Sequence, residues 1–432
     1  MHVLAEREGW SRTDVEAFQL DRLNRVWAHA SAHVPYYRDL TQRLDLPSRF
    51  TSLPEFGGRV PVLEKVVVRR TPHSLLSEHR APGQWRFTGG STGKATRVFI
   101  EHAAHREALH GRYRHAQMWG VDVLDRCVYL WGHNASFAPG WRGQLAKLRR
   151  PIEDGLRNRV RLSAYDLAPG ALQRYLRRIR RFRPRSIYAY STAAYLLGRQ
   201  ALEDGFACDS LTYVLLTSER VFPRAVHTIE RAFGVPALTE YGSIECGTLG
   251  SEWPDRELHV REDAVWIETE PRHDGRFDIL VTVLNNPSFP LLRYRIGDVT
   301  GESITHPIVG FATLSPIEGR DNDLVLTRTG RPLHPFWFDD VFENTAGVRR
   351  WRITQDAAGS VSVALEVEPT ATPIDTGRLV ALLTRRLEGY PVALTLADQL
   401  GQNPAGKHRW VTSELFALTP NSTAPAASRR TA

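Results

Sequence analysis

The chain opens on helix-like periodicity. Phe18, Leu20, Leu23, Val26 and Trp27 recur on one helical face, and Pro35 and Pro54 punctuate the pattern. Residues 1–80 are therefore predicted to form a helical N-terminal region. From Trp85 the texture changes. Short apolar runs at Cys127–Trp131, Ser186–Tyr190 and Tyr213–Leu216 alternate with longer helical patterns at Thr192–Asp204 and Pro223–Phe233. That rhythm predicts a mostly parallel sheet covered by helices. After Leu258 strands dominate, at Ala264–Glu270 and Phe277–Leu284. The polar, turn-forming cluster Gly319-Arg320-Asp321-Asn322-Asp323 then marks a boundary. Beyond it come strands at Asp323–Thr327, Arg350–Gln355 and Ser360–Glu366, a helix at Asp375–Leu387 and a last strand near Val392–Leu396. The predicted fold class is α/β: a large multilayer N-terminal domain over 1–320, with mostly parallel sheets and helices, and a small α+β domain over 324–418. Residues 419–432, rich in Ser, Thr, Ala and Pro, are expected to be disordered.

Length and composition agree with this division. A chain of 432 residues exceeds what one hydrophobic core usually organises, and 42% hydrophobic with 24% charged residues is an ordinary globular balance. No apolar run approaches the roughly 20 residues that span a bilayer, so no membrane segment is expected. The N-terminus (Met1-His2-Val3-Leu4-Ala5-Glu6-Arg7) is polar where a signal peptide would be apolar. Cys127, Cys208 and Cys246 are odd in number and widely spaced, which argues against a disulfide framework and for a reducing cytoplasm.

The formal charge is +8, with its densest stretch from Arg174 to Arg185. That stretch has helical spacing around Leu172, Leu176 and Ile179, which reads as a solvated helix face and not as a nucleic-acid site. A small polyanion accounts for a basic balance equally well. Only four lysines remain among 56 basic residues: Lys65, Lys94, Lys147 and Lys407. Where arginine serves almost everywhere, a retained lysine points to a need for a compact, flexible ammonium.

Candidate chemistry begins at Phe87-Thr88-Gly89-Gly90-Ser91-Thr92-Gly93-Lys94-Ala95-Thr96. Three glycines let backbone amides approach an anion, and the hydroxyls and Lys94 add donors. The loop is not a Walker motif, which requires Gly at Thr88 and Ser or Thr after Lys94. Taken alone, it also fits a serine-hydrolase elbow with Ser91 as nucleophile, or a plain glycine turn. Tyr241-Gly242-Ser243-Ile244-Glu245 follows a strand-like run and sets an aromatic, a turn and a carboxylate together. Such a ring can stack on a base and such a carboxylate can hold Mg²⁺. Pro290–Asp298 places an Asp after Gly297, suited to two ribose hydroxyls, with Arg293 and Arg295 as candidate phosphate partners. Asn403-Pro404-Ala405-Gly406-Lys407-His408-Arg409 displays a rare lysine on a polar loop.

In this order the four motifs resemble the adenylate-forming superfamily of acyl-CoA synthetases, luciferases and peptide-synthetase adenylation domains. The wider match is to its phenylacetate–CoA ligase branch, near the deazaflavin-coenzyme-adenylating synthetases and capsule-locus proteins. His33–Arg38, Val60–Lys65, Pro184–Leu197, Thr217–Arg220, Leu258–Val260 and Arg350–Gln355 extend the resemblance over almost the whole chain. It settles the choice against Ser91 as a nucleophile.

The resemblance implies an ATP-dependent, AMP-forming ligase. Thr88, Gly89, Gly90, Ser91, Thr92, Gly93 and Lys94 would bind phosphates, with Ser218, Glu219, Gly242 and Ser243 also in the nucleotide site. Tyr241 would stack on adenine, Asp298 would hold the ribose with Arg320 nearby, and Glu245 would coordinate Mg²⁺. Lys407 would orient the substrate carboxylate from a mobile C-terminal domain hinged at 321–323, where Asn322 replaces the usual Asp or Lys. Trp131, Tyr188 and Tyr190 would line the acyl pocket, with Tyr195 nearby and His133 facing the carboxylate. Coenzyme A is the leading acceptor of an aryl or other organic acyl group; an amine is second and transfer of AMP itself third. A non-catalytic nucleotide-binding homologue is the alternative of a different class. No zinc is expected, because the relatives' Cys-x-Cys-Gly stretch is His306–Leu314 here and Cys246 with His259 are too few ligands. His102, His105, His110 and His115 are read as an exposed helix face, and a homodimer is left open.

Overall fold

The computed structural model describes residues 6–87, 96–131, 153–164, 166–167, 169–320, 325–330, 332–333, 338, 341–342, 345–368, 373–401 and 410–415. The phosphate loop at 88–95, His133, Asn322, Lys407 and the C-terminal tail lie outside these residues. Among the described residues, no helix is long and apolar enough to cross a membrane. The chain divides near Gly319 into a larger and a smaller unit.

The larger unit opens with helices α1 (Arg12–His33), α2 (Pro35–Leu44), α3 (Leu53–Arg59) and α4 (Lys65–Arg70). A capping box between Ser11 and Asp14 starts α1, and Leu23, Val26, Trp27 and Ala30 form its buried stripe. The hairpin of β1 (Gly83–Phe87) and β2 (Arg97–Glu101) follows, then α5 (His102–Met118). The main α/β run comprises β3 (Cys127–Trp131), β4 (Arg159–Ser163), α6 (Pro169–Phe182), β5 (Ser186–Tyr190), α7 (Ser191–Glu203), β6 (Tyr213–Thr217), α8 (Pro223–Phe233) and β7 (Ala237–Ser243). β8 (Gly247–Glu252) and β9 (Leu258–Val260) continue the sheet, and β10 (Val265–Pro271), β11 (Phe277–Val283) and β12 (Tyr294–Thr300) begin another. Two short strands, β13 (Thr313–Leu314) and β14 (Ile317–Arg320), end the unit.

The eight-stranded sheet has the order β13-β9-β8-β7-β6-β5-β3-β4. Strands β4, β3, β5, β6 and β7 pair in parallel, while β7–β8, β8–β9 and β9–β13 are antiparallel. Every residue of β5 and β6 is buried, as expected of strands covered on both faces. The four-stranded sheet β10-β11-β12-β14 pairs β10, β11 and β12 antiparallel, and its inner face shares one core with α1 to α3. Trp27, Phe50 and Phe56 pack there with Ile267, Ile279 and Tyr294.

Two histidine and helix expectations resolve differently. The arginine-rich stretch is α6, with Leu172, Leu176 and Ile179 buried as its spacing predicts. The histidines of α5 do not share one exposed face. His115 is buried, its Nε2 lies 2.7 Å from the Glu252 carbonyl, and burial lowers its pKa.

The smaller unit holds a two-stranded piece, β15 (Val325–Leu326) with β16 (Pro332–Leu333), and a four-stranded sheet. The sheet orders β19 (Val392–Ala397), β18 (Val361–Val367), β17 (Val348–Gln355) and β20 (Val411–Ser413), with helix α9 (Thr376–Arg386) between β18 and β19 in sequence. Trp351 anchors its core against Phe338, Phe342 and Trp410. Gln355 ties β15 to β17 by exchanging two hydrogen bonds with the Leu326 backbone.

Candidate active site

The tight hairpin between β7 and β8 builds the first half of the site. Gly242 pairs with Thr248, and Ser243 with Gly247. A Cβ on Gly242 would stand 2.6 Å from the Gly247 carbonyl oxygen, and Gly247 itself has φ +77°, so both positions require glycine. The Ser243 hydroxyl accepts the Cys246 N–H at 3.0 Å and closes the turn. Glu245 rides on this turn with a buried carboxylate.

Strand β12 supplies the second half. Gly297, at φ +84°, bends the strand immediately before Asp298. The Tyr241 hydroxyl donates to Asp298 Oδ2 at 3.0 Å, joining the hairpin to β12. Both side chains are largely buried, so the tyrosine ring is held in one orientation.

A third segment comes from the N-terminal region. Leu63 docks beside Tyr294 in parallel: its N–H donates to the Arg293 carbonyl at 3.0 Å and its carbonyl accepts from Arg295 at 3.1 Å. This contact carries Lys65 to the hairpin. Its ammonium lies 3.3 Å from Glu245 Oε1 and donates to the Ile296 carbonyl at 3.1 Å. Lys65 is a site residue that the motifs did not single out. Its sequence signals were scarcity, as one of four lysines, and its place at the end of the Val60–Lys65 segment of the resemblance.

The arginines beside Asp298 have other partners, which corrects the expectation that they steady phosphates. Arg293 pairs with Glu268 and donates to the Val60 carbonyl. Arg295 is shared among Glu64, Glu270 and Asp278. With their donors directed into these carboxylates, both guanidinium groups brace β12 against β10 and β11.

At the carboxyl ends of the parallel strands the other expected residues gather. Ser218 follows β6 in the left-handed region, at φ +69°, a conformation that costs a non-glycine residue about 1–3 kcal/mol and clusters at functional sites. Glu219 Oε2 accepts the Thr192 N–H at 2.9 Å, at the start of α7. Trp131 stacks on Tyr188 with ring centroids 5.2 Å apart and meets Tyr190 at 4.2 Å. Tyr195 sits under the Arg224 guanidinium of α8. The Tyr188 hydroxyl donates to Glu240 Oε1 at 2.6 Å, and burial followed by the Glu240 charge raises its pKa well above the ordinary value.

Glu245 is a donor that could hold one divalent ion on a nucleotide. Glu245 offers one carboxylate, enough for Mg²⁺ when phosphates and water supply the remaining oxygens. Among the described residues, no group of three or more His, Cys, Asp or Glu side chains converges to hold a metal. Cys246 is buried, which pushes its thiol up, and His259 bonds to Asp255 and stacks on Trp253.

No family model matches the chain. Protein CapK of Staphylococcus aureus is 20% identical over 340 residues, covering 73% of this chain and 70% of that protein. Phenylacetate-coenzyme A ligase of Thermus thermophilus is 26% identical over 350 residues, covering 75% and 74%. Among solved structures, 2-hydroxyisobutyryl-CoA ligase in its postadenylation state with R3-HIB-AMP matches with a TM-score of 0.74 at 19% identity, covering 96% of this chain and 93% of that one. The chain therefore shares the fold of an acyl-CoA ligase that forms an acyl-AMP. Both curated relatives are similar to the chain over about three quarters of its length.

Proposed function

We propose that this protein uses ATP to adenylate an organic carboxylic acid and then passes the acyl group to coenzyme A. The observation that carries the reading is the convergence of Tyr241, Asp298, Glu245 and Lys65, from three distant segments, on one turn. Two of the similar proteins are by name coenzyme A ligases, which supports the thiol as acceptor.

In the first step a carboxylate oxygen attacks the α-phosphorus of ATP in line. The bond to the bridging oxygen breaks, and pyrophosphate leaves with its electron pair, giving acyl-AMP. Tyr241 lies against the adenine and Asp298 accepts from the ribose, with Arg320 beside it. The loop from Thr88 to Thr96, with Ser218, Glu219 and Ser243, surrounds the phosphates. Glu245 would hold Mg²⁺, which would supply positive charge to the phosphates, and Lys65 sets a cation at the same carboxylate. Lys407 and His133 orient the substrate carboxylate for attack, and Trp131, Tyr188 and Tyr190 face the acyl group. In the second step the thiol sulfur attacks the acyl carbon, the thiol proton leaves to solvent and AMP departs. Movement of the C-terminal domain about residues 321–323 withdraws Lys407 between the two steps. A reducing cytoplasm suits the three free thiols.

The test is exchange of labelled pyrophosphate into ATP across a panel of carboxylic acids. Exchange that depends on the acid is expected, and Lys407→Ala should lower it by about 10²–10³ while ATP still binds. Tight ATP binding without exchange for any acid would overturn the reading.

A further inference from the structure

The aromatic wall at the strand ends contains a charged pair that the adenylation chemistry does not use. Tyr129, Tyr188, Leu215 and Leu238 align across β3, β5, β6 and β7, and two residues further on Tyr190, Thr217 and Glu240 align in the same way. Helix α5 delivers Arg112 to this face. Its Nε and Nη2 each donate to Glu240 at 3.2 Å, and its guanidinium lies 4.5 Å from the Tyr188 ring centre. Burial alone would lower the Arg112 pKa, but the Glu240 carboxylate outweighs it and holds the guanidinium well above its ordinary value.

The pair is unequally covered. The Glu240 side chain is 6% exposed, whereas Arg112 keeps 29%. Glu240 accepts two donors from Arg112 and one from Tyr188, which leaves about one of its four acceptor sites open, while Arg112 Nη1 donates to no group among the described residues. The accessible element of the pair is thus a guanidinium edge with donors to spare. It adjoins the nucleotide group, since Glu240 directly precedes Tyr241.

Charge and hydrogen bonding narrow what can rest against that edge. A second carboxylate on the substrate would also meet Glu240, and an ammonium would meet Arg112. A bare hydrocarbon would strip water from Nη1 and return no hydrogen bond, which is penalised. A hydroxyl satisfies both partners, because its oxygen accepts from Nη1 and its hydrogen can be donated to a carboxylate oxygen. We propose that Arg112, fixed by Glu240 and Tyr188, determines specificity by selecting an acid that carries a hydroxyl away from its reacting carboxylate over the same acid without it. The inference rests on the adenylation reading and gives its substrate class.

The experiment compares matched pairs in pyrophosphate exchange with the full chain: 4-hydroxyphenylacetate against phenylacetate, and 4-hydroxybenzoate against benzoate. The hydroxylated member is expected to win in kcat/KM by at least about 100-fold in one pair, as in sites built around a substrate hydroxyl. In the double variant Arg112→Met with Glu240→Leu both charges leave together, and the preference should fall below about threefold by gain on the unsubstituted acid. Equal or reversed preference in the wild-type protein overturns the inference and leaves adenylation standing. A preference that survives in the folded double variant also overturns it. Should that variant fail to fold, the wild-type comparison decides alone. Exchange with none of the four acids, nor with any other carboxylic acid, removes the adenylation reading itself.

Discussion

At the scale of single residues, the site depends on a few buried groups whose partners can be counted. Glu245 is 4% exposed, and among the described residues Lys65 is its cationic partner. Lys65→Met should therefore cost about 1–3 kcal/mol in urea unfolding, below the ~3–5 of a fully buried pair because Lys65 is itself a quarter exposed. An unchanged midpoint would show that the carboxylate finds another partner. Burial also governs the thiols. Cys127 is pushed up to about 11 by desolvation, and Cys246 is raised further by burial and by Glu245. At pH 8 a thiol-specific disulfide reagent should titrate close to one thiol in the folded protein, Cys208, and all three after denaturation. Fast reaction of two or more in the folded state would contradict this burial. Much of the proposed nucleotide half could be read as a candidate from the sequence because Tyr241, Gly242 and Glu245 are neighbours whose chemistry is local. The Arg112–Glu240 pair was not, since its members lie 128 residues apart and α5 carries no signal that one of its arginines turns inward.

At the scale of elements, the β7–β8 hairpin is the most constrained piece of the site. Gly242→Ala drives a methyl group to 2.6 Å from the Gly247 carbonyl oxygen and 3.1 Å from the Thr248 Cα, both backbone atoms that cannot swing away. A loss of about 2 kcal/mol or more is expected, read as a melting temperature several degrees lower. Gly58→Ala in α3 is the matched control: no atom lies within 4 Å of its Cβ, so helix propensity should leave stability unchanged or raise it by up to about 1 kcal/mol. Equal losses at both positions would remove the steric argument. The parallel strands were easy to read, because strands buried on both faces become continuous apolar runs such as Tyr213–Thr217. The two-residue strands β13 and β16 were not, because so short a piece has no period. Nor could periodicity show that Val60–Lys65 docks beside β12, a long-range contact made largely by backbone groups.

For the whole molecule, Tyr241, Glu245 and Asp298 all belong to the larger unit. Ligand present at about 100 times its Kd should stabilise the folded state by about 2.7 kcal/mol. A thermal melt with and without MgATP measures this, and no shift at saturating ATP would remove the nucleotide site. Two units were legible from length and from the polar cluster at residues 319–323. The order of the eight strands was not, because β5 to β7 follow the chain while β3 and β4 exchange places at the edge.

The Leu63–Tyr294 bridge also sets a timetable for synthesis. Lys65 and Ile296, which it brings together, are 231 residues apart in the chain. At about 5–20 residues per second, a ribosome needs on the order of 10–50 s to deliver β12 after Lys65 emerges. For most of that interval the strands β10 to β12, against which Trp27, Phe50 and Phe56 pack, have not been made. The proposed nucleotide site can therefore close only after two thirds of the chain has been made.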